Sequence, residues 1–185
     1  MRHGICIAAS WSVDGLAVPG LTTAQLGPDG VLHHAGQRYR AAFGRGGMRA
    51  DKQEGDGATP TGLLPLRRVL YRADRLARPR AAVPVMLLAP QDGWCDDVTD
   101  KSYNCAVRLP CGPRHEALWR DDAIYDVVGV LGWNDAPVVR GRGSAIFLHV
   151  ARDDHAPTEG CVALGRRDLL AVLAAGLSGI EVLAG

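Results

Sequence analysis

Short apolar runs separated by stretches of turn formers dominate the chain. Residues 4–9 (Gly-Ile-Cys-Ile-Ala-Ala) are the first such run and read as a strand. Asp14-Gly15, the region of Gly20 and Gly27-Pro28-Asp29-Gly30 mark turns between further short strands. Residues 37–43 read as another strand, and Gly44-Arg45-Gly46-Gly47 as a flexible turn. Residues 52–62 are a polar connection rich in Gly, Thr and Pro, and Leu63-Leu64-Pro65-Leu66 begins a strand. Residues 66–77 fit a short strand or a helix, and residues 83–88 an apolar strand. Residues 91–97 and 100–104 are polar loop, with Trp94 and Tyr103 as candidate walls of a pocket. Residues 115–119 suit one helical turn. Ile124–Leu131 carries the strongest strand signal, and Asn134-Asp135-Ala136-Pro137 is a turn. Residues 145–150 form a buried strand and 180–183 a terminal one. Between them, Gly165–Leu177 has leucines at helical spacing. The pattern predicts a mostly β fold with a carboxy-terminal helix.

Composition adds limits. The 185 residues fit one domain spanning 1–185, with no internal repeat or linker. Hydrophobic residues make up 47% and charged residues 22%, and the formal net charge is +1, so nothing recommends a nucleic-acid partner. No run approaches the ~20 apolar residues that span a bilayer, which argues against membrane insertion. The first apolar patch is shorter than the ~7–15 residues of a secretory signal, so the expected setting is the cytoplasm, or the periplasm if a signal has been removed. The five cysteines, at positions 6, 95, 105, 111 and 161, are odd in number and include no Cys-x-x-Cys pair. That argues against a disulfide framework, and the spacings of Cys95, Cys105 and Cys111 match no common metal site. Neither a metal nor a cofactor is expected. Gly44–Gly47 lacks the Gly-Lys-Ser/Thr of a phosphate loop. Nothing in the sequence indicates oligomeric state.

The candidate chemistry lies late in the chain. The apolar run 145–148 delivers His149, and Thr158-Glu159-Gly160-Cys161-Val162 follows. A thiol is weakly ionised at neutral pH; a nearby imidazole takes its proton and returns it to a leaving amine. Gly160 permits a tight turn whose amide N–H groups can face an oxyanion. The competing reading of Cys161 is a small buried core residue. His155, in the polar loop 152–157, competes as the base and otherwise reads as solvated; His3, His33 and His34 read as surface residues. Asp153 and Asp154 are candidates to orient the imidazole, but a backbone carbonyl can do the same work. Arg120, Arg108, Arg114 and Lys52 are candidate carboxylate binders, each alternatively a solvated charge. Tyr125 and Trp133 belong to the core or to a pocket wall. The polar stretch 52–63 is a candidate border of the site.

With these residues in place, the chain resembles the L,D-transpeptidase catalytic-domain family of bacterial cell-wall enzymes. The resemblance rests on His149, on Thr158-Glu159-Gly160-Cys161-Val162, on Gly55–Gly62 with its Thr59-Pro60-Thr61-Gly62 segment, and on the lead-in 143–148. It covers roughly residues 40–175. It implies a β-sandwich-like fold of mixed sheets. It also implies a thiolate mechanism in which Cys161 attacks the diaminopimelate–D-alanine bond of a stem tetrapeptide and His149 protonates the leaving D-alanine. Backbone N–H groups of Glu159, Gly160 and Cys161 would hold the oxyanion. Thr158, Arg120, Arg108 and Tyr125 would contact the substrate. The implied partner is a peptidoglycan stem peptide or soluble muropeptide. Two departures distinguish this chain: Glu159 stands where many members carry His, and Ala163 where many carry Arg or Asn. The preferred expectation is an L,D-carboxypeptidase of muropeptide recycling. The alternatives are a cross-linking or amino-acid-exchanging transpeptidase and a noncatalytic muropeptide-binding module.

Overall fold

A computed structural model describes residues 20–185. The expected strand over residues 4–9 and the turn at Asp14-Gly15 lie outside the described residues.

The chain enters through β1 (Thr22–Leu26), β2 (Val31–His34) and β3 (Gln37–Ala42), followed by the two-residue strands β4 (Met48–Arg49) and β5 (Thr59–Pro60). β6 (Gly62–Tyr71) is the longest strand, and the short edge strand β7 (Val85–Leu87) lies beside its end. A separate three-stranded sheet holds β8 (Asp92–Cys95), β9 (Ala106–Arg108) and β10 (His115–Ala117), in the order β10-β8-β9. The chain then returns through β11 (Val127–Leu131), β12 (Phe147–Val150), β13 (Val162–Leu164), helix α1 (Arg166–Ala174) and β14 (Leu177–Val182). The large sheet runs β11-β12-β13-β3-β2-β1-β14-β6-β7, and β6 also pairs with β11.

That extra pairing closes the sheet on itself. Residues 62–65 of β6 pair with β14, and residues 66–71 pair with β11. Pro65 sits at the changeover, where a missing N–H costs no ladder bond, and its carbonyl takes the Gly132 N–H at 2.7 Å. Pairing on this scale decides the ambiguous stretch 66–77 in favour of strand as far as Tyr71.

β11, β12 and β13 are buried throughout because both of their faces are covered. Val127, Leu148, Val150, Val162 and Leu164 join the main core with Leu169, Val172 and Leu173 of α1. Val128, Val130, Phe147 and Cys161 belong to a second core with Trp94, Leu118 and Tyr125. Near-continuous apolar runs are what two-sided burial demands.

Several boundaries differ from expectation. Residues 115–117 are strand rather than a helical turn: His115, Glu116 and Ala117 pair with Cys95, Trp94 and Gly93. A stretch this short has too few turns to show a helical period, so pairing decides it. The strand expected from Ile124 starts at Val127, because the Asp126 N–H turns back to the Ala123 carbonyl. The helix ends at Ala174, and Leu177 becomes the first residue of β14. Gly176 at φ +91° breaks the helix. The run 83–88 is strand only over 85–87; it is an edge, with Leu87 63% exposed. The Gly44–Gly47 turn is docked rather than loose, with Gly44 bridging to Thr158. His34 is buried, contrary to the expected surface position: alternation along β2 turns Leu32 and His34 inward and leaves His33 outside.

Candidate active site

β12 and β13 run parallel, with Leu148 opposite Val162 and His149 opposite Ala163. Side chains alternate faces along a strand. Since the even-numbered residues fill the main core, Phe147, His149, Cys161 and Ala163 share the opposite face. Adjacent strands lie ~4.8 Å apart and two residues advance ~6.6 Å, which puts the His149 and Cys161 backbones about 8 Å apart on one face. Both side chains line a cleft of about 350 Å³.

The turn that carries Cys161 is fastened from two sides. Thr158 Oγ1 donates to the Cys161 carbonyl at 2.6 Å and accepts the Gly160 N–H at 3.2 Å. Gly160 stands at φ +130°, and a Cβ there would lie 2.8 Å from the Ala58 carbonyl oxygen, so only glycine fits. From below, the fully buried Thr59 donates its hydroxyl to the Gly160 carbonyl at 2.9 Å and accepts the Gly44 N–H at 2.8 Å. Within a trans peptide the C=O and the N–H point opposite ways. Anchoring the Gly160 carbonyl on Thr59 therefore turns the Cys161 N–H away from the anchor, in the direction an oxyanion donor needs. The Gly160 N–H, expected in the same role, is held by Thr158 in this state.

His149 is set by its backbone neighbour. Its Nδ1 lies 3.0 Å from the Val150 carbonyl oxygen. A carbonyl only accepts, so Nδ1 carries the hydrogen and Nε2 keeps its lone pair as a base. Neither Asp153 nor Asp154 is needed for this. Tyr125 packs edge-on against the imidazole, with ring centroids 5.4 Å apart, and its hydroxyl donates to Glu116 at 2.5 Å.

Both groups rest uncharged. Burial pushes the Cys161 thiol up to about 12; the Glu116 carboxylate adds to this, while the Phe147 N–H and Lys52 work against it. Burial pulls His149 down to about 4, with the Val150 bond opposing and the Arg120 and Arg152 charges assisting. The thiol donates to the Ala145 carbonyl at 3.3 Å and accepts the Phe147 N–H at 3.4 Å. At rest the thiol is parked on Ala145 and the neutral imidazole is bonded to Val150; the two line one cleft and share no hydrogen bond. Attack on a carbonyl requires the sulfur to swing from Ala145 and pass its proton to Nε2.

The other expected residues divide. Thr158, Glu159, Arg120 and Tyr125 line the cleft with Cys161 and His149. The Thr158 hydroxyl is engaged inside the turn, so its structural part is to lock that turn. Glu159 is exposed and pairs with Arg45 at 3.0 Å. Arg120 pairs with Asp122 at 2.6 Å. Arg108 is not in the cleft: β9 carries it to a separate groove, where it pairs with Asp92 at 2.6 Å. Arg114 is tied to Asp96 at 3.0 Å. His155 lines another cavity, beside Phe43 and Pro28. The polar stretch 52–63 does border the cleft. Lys52 and Glu54 line it, and the Lys52 ammonium is buried on Asp56 at 2.5 Å. Glu54 accepts the hydroxyls of Tyr103 at 2.5 Å and Ser144 at 2.8 Å.

Sequence reasoning missed Glu116, Arg152, Ser144 and Asp96, all of which line the cleft. Glu116 was hidden by the helical reading of its segment; strand alternation on β10 would have placed it. Arg152 makes no ion pair among the described residues, and its signal was its place three positions beyond His149.

A family model described as the L,D-transpeptidase catalytic domain matches residues 31–180. No curated protein and no solved structure matches the chain.

Proposed function

The chain belongs to the L,D-transpeptidase catalytic-domain family, and from that premise we propose that it trims peptidoglycan stem tetrapeptides at the diaminopimelate–D-alanine bond as an L,D-carboxypeptidase. The observation that carries this reading is the neutral thiol–imidazole pair on one sheet face at the floor of a charged cleft. Membership supports a cysteine enzyme of peptidoglycan. The preference for water as acceptor and the recycling role are our reading.

The Cys161 sulfur attacks the diaminopimelate carbonyl carbon as its proton passes to His149 Nε2, and the oxyanion forms beside the Cys161 N–H. The imidazolium then protonates the D-alanine nitrogen, the C–N bond breaks, and a thioester remains. Nε2 next takes a proton from water, the hydroxide attacks the thioester, and the thiol is reprotonated as the tripeptide leaves. Arg152 and Arg120 supply guanidinium for the terminal carboxylate of the substrate. The cleft is lined by charged groups open to solvent, and water at ~55 M outcompetes scarce amines unless a site excludes it.

Incubating the protein with free tetrapeptide tests this directly. D-alanine and tripeptide are the expected products. Dimers, or exchange of the terminal D-amino acid, would move the assignment to transfer. If Cys161→Ala preserved every activity, the noncatalytic module would be the right reading. The proposed setting is cytoplasmic muropeptide turnover; recovery from the envelope fraction of cells would overturn that setting without touching the chemistry.

A further inference from the structure

The thiol of Cys161 is parked on a residue in an unusual conformation. Ala145 stands at φ +53°, a region that non-glycine residues rarely occupy without support. The support comes from a distant segment. Asn104, itself at φ +56° and only 5% exposed, accepts the Ala145 N–H on Oδ1 at 3.1 Å. The same oxygen accepts the Trp94 Nε1–H at 2.9 Å. The Asn104 Nδ2 donates to the Trp133 and Asn134 carbonyls, each at 2.9 Å. Two acceptor sites and two donor hydrogens are thus all engaged, and a side-chain amide has no more. Such a fully satisfied buried amide fixes orientation, since any other arrangement strands a polar atom.

The consequence reaches the nucleophile. Asn104 holds one peptide plane next to the Ala145 α-carbon, and the left-handed φ then directs the following carbonyl at the Cys161 sulfur. We infer that Asn104 is a positioning residue that acts through Ala145 to hold the Cys161 thiol in its protonated, parked rotamer until substrate arrives. The groups facing that sulfur are otherwise Glu116 from β10, Lys52 from the 52–63 loop, and Tyr125 and His149. None of them bonds to Asn104. This inference rests on Cys161 as the reactive thiol of the proposed function, but its test needs no peptide.

The test is the pH dependence of iodoacetamide alkylation at position 161, read by peptide mass spectrometry. A thiol bond to a carbonyl favours the protonated form, so its loss makes the thiol more acidic. Asn104→Ala is expected to move the alkylation midpoint down by about half a pH unit to one unit. Trp94→Phe removes an equally buried bond to the same oxygen and leaves Ala145 held; it is expected to keep the midpoint. Ala145→Gly tolerates the left-handed φ and lets the carbonyl swing; it is expected to give a smaller downward shift. If Asn104→Ala yields no folded protein, Ala145→Gly decides. An unmoved midpoint in the deciding variant, or an equal shift in Trp94→Phe, overturns the inference. If wild-type protein releases no D-alanine, the proposed function fails while the alkylation result stands.

Discussion

The imidazole proposed as the base, His149, is pulled down to about 4, and this changes what pH is expected to do to turnover. The base must be neutral to accept the Cys161 proton, and it stays neutral wherever the pH exceeds its folded value. An ordinary histidine would lose half of its basic form at about pH 6.5. Here kcat/KM for tetrapeptide is expected to hold down to about pH 5 and to fall with an acid limb centred near 4. A limb centred at pH 6–7 would mean that the imidazole is not enclosed as described. His149→Gln keeps a polar side chain without the base and is expected to cost on the order of 10²–10⁴ in kcat, as losing a general base does. Circular dichroism would check that the variant keeps its fold.

The segments that build the site come from far apart in the chain, and buried Thr59 joins them. Its hydroxyl links the 44–47 turn to the Cys161 turn through Gly44 and Gly160. Thr59→Val keeps the shape and strands the Gly44 N–H and the Gly160 carbonyl. Stability is expected to fall by about 1–3 kcal/mol in urea melts, the usual cost of an unsatisfied buried group. Turnover should fall more than stability alone explains, because the Cys161 N–H loses its aim; removing an oxyanion donor elsewhere costs on the order of 10²–10³ in kcat. A Thr59→Val protein with full turnover would show that the turn orients itself. Elements of this kind also mark how far sequence reading goes. β11 and β12 are legible because apolar runs announce buried strands, and α1 because leucines recur at helical spacing. His149 and Cys161 were legible because a run delivers one and a glycine turn the other. β10 was not, since three residues pair with β8 only once the chain has folded. Arg108 looked like a carboxylate binder because its type suits the task, but the register of β9 carries it to another groove. Glu116, Asn104 and Thr59 act through partners far away in sequence, a relation that no local window contains.

The closed sheet leaves two histidines with little exposure to solvent. His149 lies between the second core and the cleft, and His34 faces inward from β2. His34 is also pulled below its ordinary value, chiefly by burial, with Thr22 opposing. A group whose folded pKa is depressed favours the folded state while it is neutral in both states. The contribution is therefore present above the unfolded value of about 6.5 and is lost as the pH falls below it. For His149, from 6.5 down to about 4, the shift amounts to about 3 kcal/mol once the pH reaches the lower figure. Glu116, raised by burial, works the other way: it binds its proton more readily when folded and offsets part of the loss as the medium acidifies. Two histidines against one carboxyl leave the balance with the histidines between pH 6.5 and 4. The urea midpoint is expected to fall steadily over that range, and replacing His34 with Gln should flatten the slope without moving the acid limb of kcat/KM. A His34→Gln protein that keeps the full slope would assign the acid sensitivity to the catalytic face alone. Loss of both slope and limb would mean that the two histidines, on separate elements of the closed sheet, are coupled through it.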